Sequence, residues 1–228
     1  MLLNPVTRMI YDIRIRFDYV YAAPSAWGYH LLRLKPRNSA TQRCLSSRLV
    51  VDPVPAQVSG GQEGFGQGFS GRDTSGRDFF GNDRTILLQE GAHDHMSVTL
   101  EASVEVMRPP LELDLTPPWG EVASGAFDYP DLGPSAPGHF LGSSRLASVE
   151  DAMTQMAMDC VHEHSSAFSA ALSVMKAVYA QMDYAPEITG THTPAGEAFR
   201  LGQGVCQDFA HILLVMLRML GIPARYVS

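Results

Sequence analysis

The sequence predicts an α+β protein in which an N-terminal antiparallel β-sandwich precedes a helical core. Two changes of pattern carry this expectation. Up to residue 108, apolar and polar residues alternate with period two, as on strands with one wet face. Beyond residue 140 the apolar positions recur at i, i+3 and i+4, as on helices packed by one side. Between them, residues 109–140 hold seven of the fifteen prolines, which breaks both patterns and reads as a connector lying along the surface. The expected domains are therefore residues 1–108, a connector at 109–140, and a core at 141–228.

The first strand signal is the clearest. Tyr11, Ile13, Ile15, Phe17, Tyr19 and Tyr21 fall on one face, with Asp12, Arg14, Arg16 and Asp18 on the other. The same alternation returns at Met96, Val98, Leu100, Ala102, Val104 and Val106. Shorter strands are expected around His30 to Leu34, Leu45 to Val51 and Arg84 to Gln89, punctuated by Pro36, Pro53 and a Gly81-Asn82-Asp83 turn. Several such strands imply a sandwich or an open barrel. Residues 59–76 contain seven glycines in eighteen positions and few aliphatic side chains, which predicts a loop or hairpin tip and no phosphate cradle.

After the connector, Ser148 and Asp151 form a capping-box pattern that opens a helix towards His164. Phe168, Ala171, Leu172, Met175, Val178, Tyr179 and Met182 define the apolar face of the next helix. Residues 184–202 read as loop, and Arg225-Tyr226-Val227 reads as the start of a strand.

The last helix carries the chemistry. Phe209, Ile212, Leu213, Met216, Leu217 and Leu220 follow helical spacing, Leu214, Val215 and Met219 make the flank apolar, and Gly221 with Pro223 stops the helix. Asp208 suits its positive first turn and Arg218 its last. Cys206 stands at the helix start, where unbonded N–H groups and the peptide dipoles favour a thiolate, so it is the candidate nucleophile. The residues by themselves leave a second reading open, in which Cys206 is a small buried hydrophobe.

Composition bounds the rest. A chain of 228 residues can bury a full core in one large or two small domains. A net charge of −7 without a basic cluster argues against nucleic-acid or anionic-membrane partners. No apolar run of signal or transmembrane type occurs, so the cytoplasm is the expected location. Three separated cysteines, Cys44, Cys160 and Cys206, do not make a disulfide framework and suit a reducing compartment.

Cys160, His162 and His164 suggest a metal site, yet on a helix only Cys160 and His164 would share a face, and two ligands are too few. His93 and His95 flank a turn and read as surface histidines. No metal or cofactor is expected, and no serine elbow, paired-carboxylate signature or dinucleotide fingerprint is present.

The strings Gly204-Val205-Cys206-Gln207-Asp208-Phe209-Ala210-His211 and Gly221-Ile222-Pro223-Ala224-Arg225-Tyr226-Val227-Ser228 resemble the nucleophile motif and following strand of the bacterial transglutaminase-like superfamily. Residues 31–36, 80–83 and 103–106 resemble the β-rich region that precedes this core in bacterial members, with residues 59–76 as an insertion. The resemblance implies a papain-like α+β core and thiol chemistry on peptide or protein amides, with Cys206 as nucleophile and its backbone N–H as oxyanion donor. Calcium serves some animal relatives, but no loop of acidic ligands is present here to hold it. The resemblance also places the triad histidine and aspartate downstream of Ser228, so neither is in this sequence. His211 lies about 140° round the helix from Cys206, and His192 precedes the motif; neither fits the role of base. The core is thus expected to be truncated, inactive by itself or a non-catalytic interaction module, with an uncovered sheet edge as a candidate surface for homo-oligomer formation.

Overall fold

The computed structural model describes residues 7–59, 76–108 and 113–227. The glycine-rich stretch singled out above lies almost wholly outside them. The chain divides into two compact units, Met1–Glu112 and Leu113–Ser228.

In the first unit, strands β1 (Thr7–Leu32), β2 (Gln42–Asp52), β3 (Gln57–Ser59) and β4 (Thr85–Arg108) form one antiparallel sheet in the order β1-β4-β2, with β3 also on β4. The two-sheet sandwich expected from the sequence is not what the described residues form. The reason lies in the lengths of β1 and β4, each of which joins two segments read as separate strands. Their register slips between Val20 and Trp27, where Pro24 has no N–H for a ladder, and Gly91 opposite adopts φ +91°. Across this bend Leu87, Leu32 and Val58 join Leu49, Val98 and Leu100 in one apolar cluster, so the sheet folds over its own core.

The alternating face of β4 is buried as expected, whereas Ile15, Phe17 and Tyr19 of β1 stay about 40% exposed because an edge strand has a neighbour on one side only. His93 corrects its surface reading: it sits inside β4, buried, with Nδ1 2.8 Å from the Gly91 carbonyl and its ring edge-on to Tyr21. His95 is exposed and bonds Asp94. The turn at 78–83 is organised by Asp78. Burial works against its charge, but hydrogen bonds from the side chain and backbone of Asn82 and the Arg33 guanidinium hold the carboxyl at about 2.

The second unit contains helices α1 (Trp119–Gly125), α2 (Asp151–Asp159), α3 (Ala167–Gln181), α4 (Ala195–Leu201) and α5 (Cys206–Met219). A two-residue parallel pair joins β5 (Asp183–Tyr184) to β6 (Gln203–Gly204). Helix α5 is the centre: Ile212, Val215, Met216 and Leu217 pack with Met153 and Ala157 of α2, Val174 and Val178 of α3, and Ala195 and Ala198 of α4. Each of the larger ones buried almost completely, Ile212, Val215, Met216, Met153, Val174 and Val178, contributes roughly 1.5–3 kcal/mol.

Several expectations shift. Helix α2 is capped at Glu150, not Ser148, and ends at Asp159, so Cys160 to His164 follow it in a turn rather than on its surface. In α3 the buried face is Ala170, Val174 and Val178, while Phe168, Met175 and Tyr179 stay exposed; a helix this rich in apolar residues offers more than one stripe. The stretch read as loop at 184–202 contains α4, and the proline-rich stretch contains α1, whose Trp119 packs on the core and gives its indole N–H to the His162 carbonyl. Residues 225–227 form no strand; the Arg218 guanidinium fixes the preceding backbone through the Ala224 carbonyl.

Helix α5 stops as the sequence predicts. The Gly221 N–H reaches the Arg218 carbonyl and the Ile222 N–H the Leu217 carbonyl, with Gly221 at φ +76° and Ile222 and Leu217 in the same core, a Schellman ending. A Cβ at Gly221 would also fall 2.6 Å from that of Ala123. Gly221→Ala is expected to destabilise the second unit by about 1–3 kcal/mol, read as a lowered melting temperature; an unchanged one contradicts this account of the helix end.

Stability also depends on pH. Burial holds His30 and His211 below the ordinary imidazole value of 6.5; neighbouring His93 adds to this for His30, whereas for His211 Asp208 opposes it and Arg218 adds to it. Below about pH 6.5 the unfolded chain takes up protons that the folded chain refuses, so acidification favours unfolding. Urea midpoints should fall from about pH 7.5 to about pH 5.5, and less steeply in His211→Leu. An equally steep fall in the variant rules out the His211 contribution.

Candidate active site

Cys206 is the first residue of α5 and is exposed, which excludes the packing role left open by the sequence. Its Sγ has no hydrogen bond among the described residues. The other two thiols differ: Cys44 bonds the Ser46 carbonyl at 3.4 Å and Cys160 the Ala157 carbonyl at 3.3 Å, both half-buried, and burial pushes the Cys160 thiol up. The N–H groups of Cys206 and Gln207 find no backbone acceptor among the described residues, while the next two, of Asp208 and Phe209, bond the Val205 carbonyl. An exposed sulfur therefore stands beside free backbone donors, the arrangement that an oxyanion requires.

What shapes this helix start is Asp208. Its side chain reaches back three residues, so that Oδ2 accepts the Val205 N–H at 2.8 Å, half of a capping box. The same oxygen accepts the Thr189 hydroxyl at 2.5 Å. Asp208 is 1% exposed and its Oδ1 has no partner, so Oδ2 carries both bonds. Gly204 is required by this packing rather than by a turn: a Cβ there would stand 2.6 Å from Oδ2. Sequence reasoning read Asp208 only as a charge suited to the dipole and missed Thr189 altogether. A carboxylate three residues after the cap was the available signal for the first; a loop threonine nineteen positions upstream carries none.

The histidines are not brought to the sulfur. The His211 ring is buried 5.3 Å from that of Tyr226, with Nδ1 unpartnered. His192 is exposed in the loop before α4 and bonds nothing among the described residues. His162 and His164 are exposed, Cys160 is half-buried, and among the described residues no three His, Cys, Asp or Glu side chains gather as metal ligands. Among the same residues no helix is long and apolar enough to cross a membrane.

The sequence profile of the Transglutaminase-like superfamily core matches residues 154–228, which contain Cys206, and that of the Bacterial transglutaminase-like N-terminal region matches residues 11–70. An uncharacterized protein of Mycobacterium leprae is 30% identical over 215 residues, covering 92% of this chain and 67% of its own length. Another, of Mycobacterium tuberculosis, is 28% identical over 222 residues, covering 96% and 64%. The chain thus spans about two thirds of the length of these curated relatives. Among solved structures, "a Putative Cysteine Protease from Cytophaga hutchinsonii" shares the fold with a TM-score of 0.65 at 19% identity, over 97% of this chain and 66% of that one. With the β-rich region and the cysteine-bearing core matched in order along one chain, the protein belongs to the bacterial transglutaminase-like superfamily.

Proposed function

We propose that this chain carries the nucleophile of a thiol-dependent amide hydrolase or acyl transferase acting on peptides or proteins, with Cys206 forming the thioester. The observation that carries the reading is the exposed, unbonded thiol at the first turn of a helix whose core is otherwise packed shut. In the reaction the thiolate attacks an amide carbonyl, the carbon–sulfur bond forms, and charge on the oxygen is met by the free N–H of Cys206. The carbon–nitrogen bond then breaks, the amine leaves with a proton, and water or a second amine releases the acyl group and returns the thiol. Such a cycle needs a general base and a group that orients it. No histidine among the described residues bonds Cys206, so that pair has to come from elsewhere. The same observation favours the rival reading, a non-catalytic interaction module. Free cysteines suit a reducing compartment, so the cytoplasm is the location we propose.

Mass-spectrometric mapping of iodoacetamide adducts under native conditions tests the nucleophile. Cys206 should react at least about tenfold faster than Cys44 or Cys160, and Cys206→Ala should abolish amide turnover. Equal labelling of the three thiols contradicts the reading, as does turnover surviving in Cys206→Ala, and fast labelling of Cys206 without any amide turnover in the unsubstituted enzyme supports the interaction module over it.

A further inference from the structure

The segment 185–194 has no regular structure, yet it is tied to the cysteine helix at three points. It leaves β5 where Tyr184 pairs with Gly204, and the Ala185 N–H bonds the Gly204 carbonyl at 2.9 Å. At its middle the Thr189 hydroxyl bonds buried Oδ2 of Asp208, and further on the Thr191 carbonyl accepts the Gln207 side-chain amide at 3.2 Å. Residues 204, 207 and 208 lie on either side of Cys206, so the loop runs along the start of α5. It is also closed on itself, since the Gly190 N–H bonds the Thr193 hydroxyl at 2.9 Å and the Thr193 N–H the Gly190 carbonyl at 3.0 Å.

Glu187 within it adopts φ +71°, a left-handed conformation that costs a non-glycine residue on the order of 1 kcal/mol and persists where surrounding contacts impose it. Between these ties three side chains face water: Ile188 is 52% exposed, and Glu187 and His192 are exposed too. A loop held by backbone bonds and two threonine hydroxyls, with Glu187, Ile188 and His192 exposed beside the start of the cysteine helix, has the form of a recognition wall.

We propose that Asp208 is a positioning residue which, through Thr189, holds the 185–194 loop beside Cys206 as the wall that receives an apolar side chain of a peptide acyl donor, with Ile188 as its contact. This rests on Cys206 being the nucleophile. Asp208 touches no substrate; it sets the loop and, through the Val205 N–H, the entry angle of the helix. Because one oxygen serves both bonds, removing the Thr189 hydroxyl unties the middle of the loop, with its other ties kept, while the Val205 cap stays in place.

The test compares two alkylating agents on Cys206 of the unsubstituted protein, Thr189→Val and Thr189→Ser: iodoacetamide, which needs no wall, and a peptidyl chloromethyl ketone ending in leucine, which does. The ratio of the peptidyl rate to the iodoacetamide rate should fall about tenfold in Thr189→Val, as misplaced binding groups commonly cause, and return in Thr189→Ser. Melting curves establish that both variants fold. A purely structural role would lower the melting temperature and leave the ratio unchanged, and an unchanged ratio in folded Thr189→Val overturns the proposal. That outcome, with Cys206 still the fastest thiol, leaves the nucleophile reading standing; a Cys206 no faster than Cys44 or Cys160 in the unsubstituted protein overturns both. Should Thr189→Val not fold, Ile188→Ser, whose side chain is exposed, must lower the same ratio, and failure to do so overturns the proposal.

Discussion

A carboxylate buried at the start of a helix is the constraint on which the site depends. Asp208 removes a charge from water, which is costly without compensation. The compensation is local: the Val205 N–H, the Thr189 hydroxyl and the positive end of α5 all meet it. Charge-assisted bonds of this kind are worth roughly 1.5–3 kcal/mol each. Because the carboxylate occupies the helix start from the inside, with Gly204 closing over it, the first residue of the helix is left on the outside. The exposed position of Cys206 and the buried position of Asp208 are two consequences of one turn of chain.

The rest of the second unit keeps that turn in place. Helix α5 buries Ile212, Val215 and Met216 against three other helices and ends in a Schellman motif, so neither its axis nor its length is free to drift. Arg218 near its far end donates to the Gly142 and Ala224 carbonyls, tying in the segments before α2 and after the helix. A sulfur on the first turn of so constrained a helix inherits a fixed position, which nucleophilic catalysis requires. The bent sheet of the first unit is a separate solution to burial: long strands fold one sheet over its own apolar face.

Much of this was legible in the residues. The alternation in 11–21 and 96–106 placed the ladder, and the apolar spacing after Cys206, closed by Gly221, placed α5 and its end. Other features were hidden for physical reasons. Alternation shows that one face is buried and is silent on what covers it, so a folded single sheet and a pair of sheets read alike. In α3 nearly every position is apolar or small, so a buried stripe at Ala170, Val174 and Val178 could not be told from the one through Phe168 and Tyr179. Short helices with proline at their caps, α1 after Pro118 and α4 after Pro194, were lost among loop signals. The site was half legible: the motif marked Cys206, but a bond between Thr189 and Asp208 depends on tertiary approach and leaves no spacing to find.

The central claim is that an acyl group resides on Cys206 during turnover. Incubating the protein with an activated peptide ester, quenching in acid and mapping the adduct by mass spectrometry tests it most directly. The account predicts one acyl group on the peptide containing Cys206, removed by hydroxylamine as a thioester is. An adduct on Cys44 or Cys160 in preference to Cys206, or none on any thiol, would contradict it.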